Sequence, residues 1–136
     1  MTPISSCRHR VGPVAGNLLW LAVAGACGSA QAATDCAGLA TVATGDSTVS
    51  AATVVAAGTV ISGVTVPAAF CRVQGVAQPS SDSQIKWEVW LPLAAADWTG
   101  RMKVNGTGGY AGATPYARLA QDIGDGFVTA GSNMGH

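Results

Sequence analysis

Residues 101–132, RMKVNGTGGYAGATPYARLAQDIGDGFVTAGS, constrain the fold more than any other stretch. They read as a strand (101–106), a glycine-rich loop, a helix and a second strand (127–132). Thr114 suits the N-cap and Pro115 the first helical position, while Tyr116, Leu119, Ala120 and Ile123 fall at i, i+3, i+4 and i+7. Gly124 and Gly126 can stop the helix. The strand after it is nearly all apolar, as one covered on both faces should be. Two strands joined through a helix pair in parallel by a right-handed crossover, so a mixed α/β sheet is expected.

Ahead of this unit lies a hairpin signal. FCRVQGVAQ (70–78) and QIKWEVWLPL (84–93) read as strands, joined by the turn residues PSSDS (79–83). In the second strand Ile85, Trp87, Val89 and Leu91 alternate with Lys86, Glu88 and Trp90, which predicts that the first set forms the buried face. AAADWTG (94–100) is a surface loop. Upstream, DCAGLATVA predicts a helical turn or two, and STVSAATVVAAG and TVISGVTVP read as short strands or extended loops. In this order the last strand, Phe127–Ser132, is expected to present an unpaired apolar edge and to make the piece aggregation-prone.

The N-terminus has a separate character. Arg8 and Arg10 precede the apolar LLWLAVAGA (18–26), and SAQA ends in Ala30-Gln31-Ala32. This is the layout of a secretory signal peptide over residues 1–32, cut after Ala32, and it predicts a secreted or periplasmic protein. The apolar run is about half of the roughly 20 residues that span a bilayer, so no membrane association is expected after cleavage. Removing the signal leaves 104 residues with five basic and seven acidic side chains. That balance gives no electrostatic case for a nucleic-acid partner. At 49% hydrophobic and 10% charged residues the chain is not a charged disordered one either. Cys36 and Cys71 remain, and two cysteines in an exported chain read as one disulfide, with two separate buried thiols as the alternative.

The glycine loop VNGTGGYAG (104–112) could face a phosphate, a nucleotide or an oxyanion. No lysine follows the glycines as a Walker A loop requires, and a G-x-G-x-x-G reading would need glycine where Ala111 stands. The histidines, His9 and His136, cannot assemble a zinc ligand set with the cysteines, and no metal site is expected. Asp122 and Asp125, at the helix end, read as solvated. GSNMG (131–135) places Ser132 one position too early for a G-x-S-x-G nucleophile elbow, and no Asp-His pair activates a serine. An oxyanion hole remains, because in α/β-hydrolases one donor amide comes from a glycine-rich loop after the third strand. A structural turn whose glycines permit close packing is the equal alternative on spacing alone. The triplet Asn105-Gly106-Thr107 matches a glycosylation sequon, which its place at a strand end makes incidental.

Taken in order, FCRVQGVAQPSSDSQIKWEVWLPL, Trp98-Thr99-Gly100-Arg101, VNGTGGYAG and PYARLAQDIGDGFVTAGSNMGH resemble the tannase and feruloyl esterase family, which includes mono(2-hydroxyethyl) terephthalate hydrolase. The likeness runs from about Cys36 to His136, with Thr99 where the family usually has Asn. It implies the N-terminal part of an α/β-hydrolase domain over residues 33–136: hairpin, third strand, oxyanion loop, helix and fourth strand. It also implies a secreted serine carboxylesterase acting on small aromatic acid esters of the hydroxycinnamic or gallic type. Carried over by residue, the oxyanion amide falls on Gly109 with Gly108 beside it, Thr107 and Tyr110 flank the substrate carbonyl, and Cys36 and Cys71 match the family's disulfide.

The family's serine, Asp, His, lid and the calcium site in that lid have no counterpart within residues 1–136. The resemblance therefore implies a fragment without cofactor and without a triad, inactive by itself. A small exported, non-catalytic β-rich module is the rival reading. The residues give no role to His136, no oligomeric state and no choice among esters.

Overall fold

The computed structural model describes residues 35–109 and 112–135. Residues 1–32, read above as a signal peptide, lie outside the described residues, as do Tyr110 and His136. A 3-10 turn at Ala37–Thr41 precedes β1 (Ala43–Thr44), β2 (Ser47–Val55), β3 (Val60–Ile61) and β4 (Val64–Thr65). There follow β5 (Phe70–Ala77), β6 (Ile85–Pro92), β7 (Met102–Asn105), helix α1 (Tyr116–Gly124) and β8 (Val128–Ser132). A six-stranded sheet has the order β1-β2-β5-β6-β8-β7, and β3 with β4 forms a separate small hairpin. The architecture is mixed α/β with a core that is mostly sheet.

Strands β5 and β6 pair antiparallel over their whole length, from Phe70 opposite Pro92 to Ala77 opposite Ile85. The turn residues between them set that register, as the sequence predicts. β7 and β8 pair in parallel, Met102 with Val128 through Asn105 with Gly131, with α1 as the crossover. The helix starts one residue later than its sequence suggests. Pro115 takes the cap position without a side-chain bond, and its carbonyl accepts from the amides of Arg118 and Leu119.

Two expectations are corrected. β8 is not an edge: it lies between β6, which it pairs antiparallel, and β7. The crossover carries the chain back inward, so the outer strand is β7, where Val104 is 76% exposed. The second correction concerns β6. Its deeply buried residues are Glu88, Trp90 and Pro92, while Ile85, Trp87, Val89 and Leu91 are half-buried. Helix α1 covers the Glu88–Trp90 face, where Phe70, Trp90, Leu119, Ala120 and Ile123 form the main core. The opposite face carries a smaller cluster around Cys36, Cys71 and Val73, with Trp87, Val89 and Leu91 against it. Both faces are covered, so alternation of polarity does not mark an inside and an outside. Cys36 and Cys71 form a disulfide, with Cα atoms 5.5 Å apart.

Candidate active site

The carboxyl ends of β7 and β8 point the same way, and the glycine loop leaves the sheet there. In open α/β sheets ligands bind beside the carboxyl ends of strands. Gly108 and Gly109 hold φ of +44° and +61°, a left-handed conformation that side chains with a Cβ adopt at a cost. A Cβ at Gly106, Gly108 or Gly109 would meet nothing within 4 Å. Gly106, Gly108 and Gly109 are therefore not there to pack against the described chain, and at Gly108 and Gly109 the backbone conformation asks for glycine. Thr107 is half-buried between them.

The loop departs from a half-buried polar cluster built on the buried Asp122 and Thr129. Asn105 Nδ2 donates to Asp122 Oδ2 at 2.7 Å and to Thr129 Oγ1 at 3.0 Å. Lys103 Nζ donates to Asp122 Oδ1 at 2.8 Å, and Thr129 Oγ1 to Asp122 Oδ2 at 3.1 Å. The same ammonium lies 3.9 Å from the centre of the Phe127 ring. Asp122 is thus buried, not solvated as its place near the helix end suggests. Burial pushes its carboxyl up, yet the bonds from Lys103, Asn105 and Thr129 together hold it below the ordinary range. Asp125 is exposed.

A second buried carboxylate stands where the loop ends. Glu88 accepts from Arg72 Nε at 2.8 Å and Nη2 at 2.6 Å, from Trp90 Nε1 at 2.8 Å, and from Gln74 Nε2 at 3.2 Å. It also accepts from the hydroxyl of Tyr116, the first helical residue, at 2.9 Å. Burial again works against ionisation, and again the donors win: the Glu88 carboxyl lies below its usual range. Burial and the bond to Glu88 push the Tyr116 hydroxyl up, and Glu88 raises Arg72. Among the described residues no buried side-chain nitrogen or oxygen lacks a hydrogen-bond partner.

A cleft of about 580 Å³ opens beside this point, lined by Gln74, Gly75, Trp87, Glu88, Gly112, Thr114, Tyr116 and Asn133 among others. Its volume is in the range of small-molecule sites. Among the described residues no group of three or more His, Cys, Asp or Glu could hold a metal ion, and no helix is long and apolar enough to cross a membrane. Glu88 and Asp122 escaped the sequence reading as buried groups. The available signal was Arg72 and Gln74 on one strand, and Lys103 and Asn105 on another, each pair two apart and so on one face.

The chain is thus a mixed α/β protein with a parallel strand pair, a glycine loop at its carboxyl end and a cleft of this size where that loop ends. Residues 71–136 match the family described as Tannase and feruloyl esterase, so the resemblance read from the sequence holds. Over 57 residues, 42% of the chain, it is 44% identical to Probable feruloyl esterase B-1 of Aspergillus oryzae and 42% identical to Probable feruloyl esterase B-2 of Aspergillus flavus. The match spans 10% of each of those proteins. The crystal structure of feruloyl esterase B from Aspergillus oryzae is similar over 74% of the chain and 21% of its own, with 36% identity and a TM-score of 0.66.

Proposed function

We propose that this sequence serves a secreted carboxylic ester hydrolase that cleaves aromatic acid esters of the hydroxycinnamic or gallic type by a serine-nucleophile mechanism. In this reading the described residues are part of an α/β-hydrolase domain. The amide of Gly109, with Gly108 beside it, is one donor of the oxyanion hole, and Thr107 and Tyr110 flank the substrate carbonyl. The observation that carries it is the pair of left-handed glycines at the carboxyl end of β7, facing open space. The identity to feruloyl esterases supports the substrate class.

Attack of a serine hydroxyl on the ester carbonyl moves negative charge onto the carbonyl oxygen. A fixed N–H aimed at that oxygen lowers the barrier without reorganising. Collapse expels the alcohol, protonated by the base that took the serine proton, and water then releases the acid. Residues 1–136 offer no G-x-S-x-G elbow, so nucleophile and base would come from further sequence.

The test is Gly109→Val in the active enzyme, assayed on methyl ferulate and methyl gallate. Loss of one oxyanion donor lowers kcat by about 10²–10³-fold. We expect such a loss in a protein that still folds cooperatively, with a modest fall in thermal midpoint because valine is strained at a φ of +61°, and a smaller effect from Gly112→Ala. Near-normal kcat, or loss only through unfolding, would sink the assignment.

A further inference from the structure

The glycine loop is tied at both ends to buried carboxylates. At its start Asn105 closes β7 and donates to Asp122 at 2.7 Å. At its finish Tyr116 opens α1 and donates to Glu88 at 2.9 Å. Each acceptor is fixed by partners outside the loop. Lys103 and Thr129 hold Asp122. Arg72, in a two-pronged contact, and Trp90 hold Glu88. Between these anchors a Cβ built at Gly108 or Gly109 would meet nothing within 4 Å of the described residues.

Glycine alone leaves a loop conformationally free. An amide that must point at one oxygen cannot be free, and the bonds seen at the loop's two ends are anchors that can aim it. We propose that Asn105 and Tyr116 are positioning residues for the oxyanion-binding amide, each clamping one end of the loop to a buried carboxylate. This rests on the oxyanion reading of Gly109.

Asn105→Ala and Tyr116→Phe in the active enzyme test it. Tyr116→Phe keeps the ring and leaves Glu88 with Arg72, Gln74 and Trp90, so the fold should survive it. Steady-state kinetics on methyl ferulate would be read beside the affinity for an aromatic boronic acid, which forms a tetrahedral adduct with the serine. Misplacing a catalytic donor by about 1 Å can cost about 100-fold, so a fall in kcat of about tenfold or more is expected for each variant. KM should move less than about threefold, and boronate affinity should fall in step with kcat. Unchanged kcat in both variants overturns the inference. So does a kcat loss with unchanged boronate affinity, or one that tracks unfolding in both. Gly109→Val separates the two levels. If it lowers kcat while Asn105→Ala and Tyr116→Phe do not, the positioning role alone fails; if it too leaves kcat intact, the oxyanion reading fails as well.

Discussion

The indole of Trp87 occupies the place where Gly75, its partner across the β5–β6 ladder, would carry a side chain. A Cβ there would run into the ring and come within 2.6 Å of the Thr48 carbonyl oxygen on β2. The ring is also held from the far side, where Trp87 Nε1 donates to Ser47 Oγ at 2.6 Å.

Gly75→Ala should therefore destabilise the protein although alanine suits a strand better than glycine in isolation. Overpacking of this kind costs about 1–3 kcal/mol. Urea unfolding of parent and variant, followed by tryptophan fluorescence, checks it. Equal midpoints would mean that the ring moves freely, contrary to its bond to Ser47.

Removing Arg72 should cost more than removing the whole Arg72–Glu88 pair. Arg72→Met leaves Glu88 buried with its charge uncompensated, and breaking a buried pair from one side costs about 3–5 kcal/mol. The double variant Arg72→Met/Glu88→Gln should recover part of that loss. The single variant should also take up a proton at Glu88 on folding, which makes its stability rise as pH falls toward the carboxylate range. Denaturation curves at several pH values distinguish these outcomes.

The parent protein should respond to acid in the opposite sense. Asp122 and Glu88 lie below their ordinary range when folded, so the unfolded chain binds protons more readily. The stability they contribute is complete above about pH 4–5, the unfolded carboxylate range, and drains away as pH falls through their lower folded values. Each proton taken up on unfolding steepens that loss by about 1.4 kcal/mol per pH unit. Tyr116 sets an alkaline counterpart, because its hydroxyl is raised on folding. Its contribution is complete below about pH 10 and is lost as pH climbs through the folded value. A thermal-midpoint profile flat between these limits, with Asp122→Asn removing part of the acid limb, is the expected result.

Why these two carboxylates were hidden, while the elements around them were not, is a matter of range. The β5–β6 hairpin is set by PSSDS and by alternation within one strand, and the helix by Leu119, Ala120 and Ile123 at local spacing. Such signals need only a few neighbouring residues. Glu88 reads as a solvated position until Arg72, Gln74, Trp90 and Tyr116 converge on it, and Tyr116 is 28 residues away. Asp122 depends likewise on Lys103, Asn105 and Thr129 from two strands. The insertion of β8 between β6 and β7 is equally non-local, since no residue of β7 announces that it is the outer strand. The left-handed glycines, by contrast, were visible as glycines, and the structure supplies the reason at Gly108 and Gly109.

Opening the Cys36–Cys71 bond should loosen the smaller cluster first. The bridge joins the N-terminal 3-10 turn to β5 across a sequence separation of 35. A loop of that length corresponds to about 3–4 kcal/mol of lost unfolded-chain entropy. Cys36→Ser/Cys71→Ser should lower the unfolding free energy by about that amount, and amide exchange should speed up most around Leu39 and Val73. A uniform change across the sheet would place the loss elsewhere.

The Asn105 side chain has one further consequence, which concerns how such a protein is made. Asn105-Gly106-Thr107 is an acceptor triplet for N-linked sugar, and the sugar would be attached at the amide nitrogen that the fold gives to Asp122 and Thr129. A host that glycosylates chains as they enter its secretory route competes for this atom before the sheet exists. A chain modified there would carry a bulky glycan where the part-buried bond to Asp122 closes, which is why the triplet is incidental once the fold has formed, whereas a host without that machinery leaves the atom to Asp122.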